Sequence, residues 1–340
     1  MAGGTTKKKE RQEPMMEQMT LEVRNLTVCF RTDRGVVRPV NDVSLKVPAG
    51  RIVGIVGESG CGKSMTARAV MGLLRYPGKV TGGFVILDGR EITALPEKER
   101  RKLRGNEISM VFQEPMTSLN PVVKVGKQVE EAIRLHTELS REEAKAKTVE
   151  MFRKVEIPEA ETRYDCYPHQ LSGGLRQRVM IAMAMVCRPK LLIADEPTTA
   201  LDVTVEAQIL SLLERLRDAG TSVLIISHNL GVIARVCDYV YVMYAGRIVE
   251  EAETEELFSR PAHPYTRGLF RSVASLREGS ETLETIPGVV PNLLYLPAGC
   301  SFSLRCEGCD GNCEKNMPEL LETRPVHRVR CFHPEKEGTE

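Results

Sequence analysis

The fold is decided by Gly57-Glu58-Ser59-Gly60-Cys61-Gly62-Lys63-Ser64, which fits the phosphate-binding pattern G-x-x-x-x-G-K-[ST]. Residues 51–56 before it predict a buried strand and the residues after it predict a helix, which is the context that the pattern requires. Its glycines let backbone N–H groups reach phosphate oxygens without interference from a Cβ atom. Lys63 supplies a charge for the β- and γ-phosphates, and the Ser64 hydroxyl is a ligand for Mg²⁺. A chance match is on the order of one per cent, so we predict a nucleotide site.

A second part of this site is predicted by an apolar strand, 191–194, that is followed by two acids, Asp195 and Glu196. A parallel strand delivers the residues at its carboxyl end to the ligand crevice. We expect Asp195 to lie near Mg²⁺ and Glu196 to polarise the attacking water. An Asp-Glu pair alone is weak evidence, because most such pairs cap helices or lie in solvent. The phosphate loop makes it strong evidence.

Short apolar strands alternate with helices in the rest of the chain. Residues 191–194 and 223–226 predict buried strands, and 205–216 predicts a helix between them. Asp88-Gly89 is a hairpin-type turn signal after a further strand. The alternation predicts an α/β fold with a parallel sheet that is covered on both faces.

A helical insert interrupts this alternation at about residues 116–172. Residues 125–135 and 142–155 have helical spacing and carry many charges. Ser140 followed by Glu143 predicts a capping box that opens the second helix. We therefore expect a helical subdomain within a larger α/β domain.

Composition and charge exclude several classes of protein. The chain has 340 residues, with 47 Lys+Arg against 46 Asp+Glu, and this balance argues against a large basic surface for nucleic acid. No apolar run approaches the ~20 residues of a membrane-spanning helix. Residues 1–19 are polar and predict a disordered leader without a secretory signal. We expect a cytoplasmic protein that reaches a membrane only by docking to other subunits.

The motifs between and after these elements resemble those of one family. Leu171-Ser172-Gly173-Gly174-Leu175-Arg176-Gln177-Arg178 looks like the signature sequence of ABC-type ATPases. The family's other motifs are present in order: Gln113 matches the Q-loop, Ala200-Leu201-Asp202 the D-loop, His228 the switch histidine, and Phe30 the aromatic residue that stacks on adenine. The chain thus resembles the ABC-type ATPase family over about residues 20–255.

The resemblance implies a head-to-tail pair of ATPase domains that holds two ATP molecules. Each nucleotide would lie between one subunit's phosphate loop and the other's signature. Glu196 would be the general base, His228 would hold the γ-phosphate and water in line, and Gln113 would sense the nucleotide and contact the membrane subunits. The implied catalytic residues are Lys63, Gln113, Glu196 and His228. The implied nucleotide ligands are Phe30, Gly57, Ser59, Gly60, Cys61, Gly62, Lys63, Ser64, Met65, Ser172, Gly173, Gly174, Asp195 and Asp202, with Ser64, Gln113 and Asp195 around Mg²⁺.

The end of the chain carries a second pattern, Cys300-x5-Cys306-x6-Cys313-x17-Cys331. Together with residues 261–266 and 286–291, it resembles the C-terminal extension of ATPase subunits from oligopeptide and dipeptide ABC importers. Some members of that branch carry a [4Fe-4S] cluster on four such cysteines, so the resemblance implies these four as ligands. Leu175, where many ABC ATPases have glutamine, is typical of the same branch.

The residues themselves leave the occupant of this cysteine cluster open. Thiolates bind iron–sulfur clusters and zinc alike, and free thiols or disulfides are the third alternative. Cys309, which the family pattern does not need, forms a C-x-x-C pair with Cys306. It is either a spare ligand or a replacement for Cys306 or Cys313. His327 and His333 are candidate zinc ligands, but we expect each to be a surface residue.

These observations predict an ATPase that is peripheral to the cytoplasmic face of the membrane. The leader would cover 1–19, the ATPase domain 20–255 and the C-terminal extension 256–340. The resemblance implies uptake of di- or oligopeptides through two permease subunits, with a related second ATPase subunit and an extracytoplasmic substrate-binding protein. Nickel, sugars or other small solutes are the alternative cargo. A soluble ABC protein acting on ribosomes or DNA is disfavoured by the single set of motifs and the lack of sustained heptads.

Overall fold

The structure is a computed structural model that describes residues 18–114, 118–199, 201–277 and 286–335. Its strands are β1 Met19–Thr32, β2 Gly35–Pro48, β3 Ile52–Val56, β4 Gly78–Leu87, β5 Arg90–Glu91, β6 Ile108–Val111, β7 Leu191–Asp195, β8 Ser222–Ser227, β9 Tyr239–Tyr244, β10 Arg247–Glu253, β11 Leu321–Arg324 and β12 His327–Val329. Its α-helices are α1 Lys63–Val70, α2 Glu97–Leu103, α3 Val125–His136, α4 Arg141–Lys154, α5 Ala160–Tyr164, α6 Gly173–Met185, α7 Val203–Asp218, α8 Leu230–Val236, α9 Thr254–Ser259, α10 Pro264–Arg277 and α11 Gly311–Lys315. Short 3₁₀ helices cover Pro168–Gln170 and Ser303–Arg305.

The larger sheet has the strand order β11-β12-β10-β9-β3-β8-β7-β6. Its five strands from β9 to β6 are parallel, and every residue of β3, β7 and β8 is buried. Burial on both faces explains why these segments read as continuous apolar runs rather than as alternating ones. The predicted α/β fold with a parallel sheet is confirmed for this part. Sequence reasoning missed the antiparallel strands β10, β12 and β11 that extend it.

The smaller sheet is antiparallel, with the order β2-β1-β4-β5. Its β4–β5 hairpin turns at Asp88 and Gly89, whose φ angles are +48° and +78°. Two successive positive φ angles are typical of the tight hairpin turn that Asp-Gly favours, so the predicted hairpin is confirmed.

The two predicted helices of the insert are present as α3 and α4, and sequence reasoning missed the short helix α5 that follows them. Ser140 and Glu143 form the reciprocal capping box at the start of α4, with Ser140 Oγ accepting the Glu143 N–H and the Glu143 carboxylate accepting the Ser140 N–H. The apolar faces of α3 and α4 are buried in the same core as the parallel sheet. The structure does not describe residues 115–117, at the start of the predicted insert.

The phosphate loop and three other predicted site residues lie just beyond the carboxyl ends of four adjacent strands. The phosphate loop follows β3, Gln113 follows β6, Glu196 follows β7 and His228 follows β8. Carboxyl ends of parallel strands open onto one edge of a sheet, where ligands bind in folds of this class. The topology therefore gathers residues that lie up to 171 positions apart in the chain.

The C-terminal region packs onto the same large sheet. Strand β12 pairs with β10 in antiparallel register, with Glu250 opposite Val329. Tyr265 and Phe302 belong to the same hydrophobic core as β3 and β8. Residues 1–17, which contain most of the predicted leader, lie outside the described part of the chain, as do 278–285 and 336–340. None of the helices in the described part is both long enough and apolar enough to cross a membrane.

Candidate active site

The phosphate loop has the backbone conformation that its glycines predict. Gly57, Gly60 and Gly62 have φ angles of +155°, +80° and +113°, which favour glycine. A Cβ atom at Gly57 would lie 2.1 Å from the backbone oxygen of Met243, and one at Gly62 would lie 2.0 Å from that of Pro39. Gly57 and Gly62 are therefore required by the close approach of neighbouring backbone.

The Lys63 ammonium lies inside the loop. Lys63 is buried, and its Nζ donates to the carbonyl oxygens of Gly57 at 2.7 Å and Glu58 at 3.1 Å. These carbonyls hold the charge at the entrance of α1, where a phosphate would also meet the free N–H groups of the helix N-terminus. The geometry suits a lysine that exchanges carbonyl partners for phosphate oxygens.

The other predicted nucleotide ligands near the loop differ in exposure. Ser59 is exposed, whereas Cys61 is buried, and burial raises the pKa of its thiol. Met65 is partly buried in the first turn of α1. Phe30 is partly buried on β1, with its ring over Gly78. The adenine contact of Phe30 stays a prediction.

Ser64 and Asp195 lie together as predicted for Mg²⁺ ligands. Ser64 Oγ donates to Asp195 Oδ1 at 2.9 Å, and Asp195 is only 2% exposed. Burial raises the pKa of Asp195, and the hydrogen bond from Ser64 opposes this effect. Hydroxyl and carboxylate oxygens are the ligands that Mg²⁺ prefers, and a bound cation would stabilise the ionised carboxylate. The donor set therefore fits the ion.

Glu196 is the centre of a hydrogen-bonded group that contains two other predicted catalytic residues. Its Oε1 lies 3.0 Å from His228 Nδ1, and its Oε2 accepts from Gln113 Nε2 at 3.0 Å. Thr199 Oγ1 also donates to Oε2, at 2.9 Å. Glu196 has a φ of +48°, an uncommon conformation for a residue other than glycine that is frequent at functional sites.

This group keeps Glu196 ionised at neutral pH. Burial raises the pKa of the carboxyl, but hydrogen bonds from His228 and Thr199 outweigh that effect and hold the pKa below its usual value. A general base has to be deprotonated to accept a proton. Thr199 was missed by sequence reasoning, and its position three residues after Glu196 was the available signal.

The signature sequence lies at the N-terminus of α6, at the surface of the protein. Ser172 caps the helix by accepting the Leu175 N–H at 3.3 Å, and Ser172 and Gly173 are exposed. A Cβ atom at Gly174 would lie 2.8 Å from Val205 Cγ1, so this glycine lets α6 approach the start of α7.

Asp202 is also exposed, and it caps α7 by accepting the Val205 N–H at 2.9 Å. Its predicted D-loop neighbour Ala200 lies outside the described residues. The signature and Asp202 therefore form an exposed surface of two helix N-termini.

Comparison with known proteins decides the family. Residues 40–199 match the family model of the ABC transporter, and residues 249–313 match that of the oligopeptide/dipeptide transporter C-terminal region. An oligopeptide transport ATP-binding protein of Salmonella typhimurium is 52% identical over 328 residues, which cover 96% of this chain and 97% of that protein. The chain belongs to the ABC transporter ATPase family. A probable peptide ABC transporter ATP-binding protein of Sinorhizobium fredii is 51% identical over 317 residues, or 92% of this chain and 95% of the relative.

Solved ABC cassettes share the fold. The dimeric structure of a bacterial ABC transporter cassette superposes with a TM-score of 0.63 and 29% identity, covering 69% of this chain and 98% of that one. A dimeric structure described as a post-hydrolysis state with ADP and Pi gives a TM-score of 0.63 at 28% identity, with the same coverage. The predicted ABC cassette fold is confirmed.

In the C-terminal region of this ABC ATPase, the four cysteines predicted as cluster ligands converge. Cys300, Cys306, Cys313 and Cys331 all line one cavity of about 40 Å³. Burial raises the pKa of each thiol, to about 11 for Cys313 and about 12 for Cys331. Cys313 is buried and the other three cysteines are partly buried, and thiols that crowd one cavity suit a group that stabilises thiolates. Cys309 is not among the residues that line the cavity.

The two candidate zinc histidines behave differently from each other. His333 is an exposed residue, as expected, and its Nε2 lies 2.9 Å from Asp310 Oδ2. Asp310, His333 and Cys313 have ligand atoms within 4.8 Å of one another, a donor set that could hold a metal ion. The prediction that His327 is a surface residue is wrong, because its side chain is 0% exposed and contacts Glu250 and Glu256. His327 is buried because β12, the strand that contains it, pairs with β10 of the large sheet.

Proposed function

We propose that the chain hydrolyses ATP as the nucleotide-binding subunit of an importer of di- and oligopeptides. The observation that carries the proposal is the convergence of Glu196, Gln113 and His228 beside the phosphate loop. The family membership and the peptide-transport relatives support the cargo.

Some residues of the site bind the phosphates and Mg²⁺, and others position the attacking water and accept its proton. Lys63 Nζ leaves the loop carbonyls and pairs with β- and γ-phosphate oxygens. Ser64 and Asp195, together with Gln113, would hold Mg²⁺, and the ion would supply positive charge that offsets the negative charge of the phosphates. Glu196 accepts the proton of the attacking water, and His228, in contact with Glu196, holds the water and γ-phosphate in line.

The exposed signature surface is proposed to complete the ATP site of a second ATPase subunit. Ser172 and Gly173 present the free N–H groups of the α6 N-terminus, which favour an anion such as a γ-phosphate. Asp202 lies on the same exposed surface. We propose a head-to-tail heterodimer with a related subunit, and the dimeric form of the cassette relatives supports the arrangement.

The permease subunits are proposed to dock in a groove that contains the Q-loop. This groove has a volume of about 690 Å³ and is lined by Gln113, Arg68, Arg75 and Arg104, among others. Because Gln113 also contacts Glu196, a segment bound in the groove would act on the catalytic carboxylate through Gln113. The chain would then be peripheral to the cytoplasmic face of the membrane, with two permeases and an extracytoplasmic substrate-binding protein as partners and no nucleic acid.

We propose that the cysteine cavity holds a [4Fe-4S] cluster on Cys300, Cys306, Cys313 and Cys331. A cluster of this kind uses four thiolates, and the four line one cavity. A zinc ion on Asp310, Cys313 and His333 is the alternative, since their ligand atoms lie close together. The cluster would have a structural role.

Metal analysis of anaerobically purified protein separates these occupants. Four irons and four sulfides per chain with a broad visible band support the cluster, and Cys306→Ser is expected to lose them. Cys309→Ser is the matched control and is expected to keep them. One zinc per chain without iron would contradict the cluster.

Nucleotide binding tests the ATPase part of the proposal. Lys63→Ala is expected to weaken ATP binding about 10- to 100-fold, which corresponds to the loss of hydrogen bonds to a charged group. Lys154→Ala, an exposed lysine paired with Glu150, is the control for removing a positive charge. Unchanged affinity of Lys63→Ala by calorimetry would contradict the phosphate site.

Uptake by vesicles with the complete transporter tests the cargo. We expect uptake of a labelled tripeptide that depends on ATP and stops in Glu196→Gln. ATP-dependent uptake of nickel without uptake of peptide would overturn the peptide assignment and leave the ATPase assignment intact.

A further inference from the structure

The C-terminal region contacts the phosphate loop at Glu58. Arg305 donates to both carboxylate oxygens of Glu58, from Nη1 at 2.7 Å and from Nη2 at 3.2 Å. The Arg305 side chain is only 4% exposed, and its Nε donates to the Pro287 oxygen at 2.8 Å. A bidentate pair with one buried partner has a defined geometry. The contact joins residues 247 positions apart.

The backbone of Glu58 is held by the same region. Its N–H donates to the hydroxyl of Tyr265 at 2.8 Å. The Tyr265 ring is fully buried and packs against Tyr244 and Phe302, with ring centroids 4.6 Å and 5.6 Å away. The side chain and the N–H of Glu58 are therefore both anchored outside the ATPase motifs.

Glu58 is a sensitive position for a nucleotide site. Its carbonyl accepts from Lys63 Nζ at 3.1 Å and from the Cys61 N–H at 3.3 Å, so a shift of Glu58 moves the loop. Its carboxylate belongs to a residue of the phosphate loop and is partly buried, and like charges repel more strongly in a partly buried site than in water. Arg305 neutralises this carboxylate.

Arg305 comes from the segment between two of the cavity cysteines. It ends the 3₁₀ helix Ser303–Arg305, between Cys300 and Cys306, and its guanidinium lies 5.9 Å from the Tyr244 ring centroid. The fold of the cysteine region therefore sets the position of the guanidinium relative to the loop.

We propose that Arg305 and Tyr265 are positioning residues that hold the phosphate loop in its nucleotide-binding conformation and shield the phosphates from the Glu58 charge. The C-terminal region is then part of the nucleotide site. This inference rests on the proposed ATP binding at the loop.

Calorimetry with MgADP on the full chain tests the proposal. Arg305→Gln leaves the Glu58 carboxylate unpaired, and we expect a Kd about tenfold higher. The double variant Glu58→Gln/Arg305→Gln removes that charge and is expected to recover to within about threefold of wild type. Tyr265→Phe leaves the Glu58 N–H unpaired and is expected to raise Kd about threefold or more. Arg328→Gln breaks another tail-to-sheet ion pair, with Glu251 at 3.2 Å, and is the matched control with a Kd within twofold.

Steady-state kinetics separate positioning from general loss of folded protein. Positioning of the loop predicts that Arg305→Gln raises the KM for ATP while kcat stays within about threefold. Unfolding of a fraction of the protein lowers kcat and leaves KM unchanged, and this result would overturn the proposal. So would a Kd of Arg305→Gln equal to that of Arg328→Gln, or a double variant no tighter than Arg305→Gln. Wild-type protein that binds no nucleotide would instead overturn the proposed function.

Discussion

Replacing His327 with glutamine is expected to weaken the attachment of β12 to the large sheet. His327 and Glu250 side chains are both 0% exposed, and His327 Nε2 lies 2.7 Å from Glu250 Oε1. The other ring nitrogen, Nδ1, lies 3.2 Å from Glu256 Oε1. Glu250 also accepts the N–H groups of Ala262 at 2.6 Å and His263 at 3.0 Å. The pair therefore joins the sheet, the segment before α10 and the last strand.

The size of the effect depends on the charge of His327. Burial lowers the pKa of the imidazole, but hydrogen bonds to Glu250 and Glu256 outweigh it and raise the pKa above 6.5. Arg260 and Arg324 also pair with Glu256. Because the folded-state pKa is raised, the stabilisation is fully present below pH 6.5 and is lost as the pH rises through the folded-state pKa. Breaking a buried ion pair costs about 3–5 kcal/mol, and glutamine retains one hydrogen bond. We expect a loss of about 3 kcal/mol at pH 6 and a smaller loss at pH 9.

Urea unfolding of the purified chain at pH 6 and pH 9 measures this loss. The matched control is His169→Gln, an exposed histidine, for which we expect a change below about 0.5 kcal/mol. A His327→Gln loss below 1 kcal/mol at pH 6, or an equal loss at both pH values, would refute the reasoning.

Four further substitutions test the loop, the insert and the catalytic base. Gly62→Ala is expected to abolish tight ATP binding, since its Cβ would lie 2.0 Å from a backbone oxygen. The control is Gly60→Ala, where the Cβ would meet open space and should cost only about 1–2 kcal/mol of backbone strain. Equal ATP affinity for the two variants would count against the assigned loop geometry. Ser140→Ala removes the capping box and is expected to cost about 1 kcal/mol in urea unfolding; no change would show that the cap is dispensable. Thr199→Val removes a hydrogen bond that lowers the pKa of Glu196, so the acid limb of the pH–rate profile should move to higher pH, and an unshifted limb would contradict this role.

Local sequence patterns predicted the backbone geometry of the phosphate loop and the cap of α4, because these motifs are short and their spacing follows backbone geometry. The glycines of the loop, the acids at the end of β7 and the capping box at Ser140 depend on neighbours within a few residues. The strand order then brings Glu196 and His228 within 3.0 Å. The motif order, rather than either residue alone, made this contact predictable.

The contacts of the C-terminal region could not be predicted from local pattern. His327 lies in a three-residue strand, and its burial is decided by Glu250, which is 77 positions away. Arg305 looks like a surface residue in the sequence, and its partner Glu58 is an unspecified position of the phosphate-loop pattern. Neither pairing leaves a periodic signal, because each depends on how a region with little regular structure docks on the sheet.

The central claim is that Glu196 is the base of an ATP-hydrolysing site. We would measure the ATP affinity and the steady-state hydrolysis rate of Glu196→Gln in the complete transporter, with Asp218→Asn as a control for loss of an exposed carboxylate. Glutamine preserves the size of the side chain, so the account predicts an ATP Kd within about threefold of wild type and a rate about 10²- to 10⁴-fold lower. A variant that retains more than a tenth of the wild-type rate would contradict it.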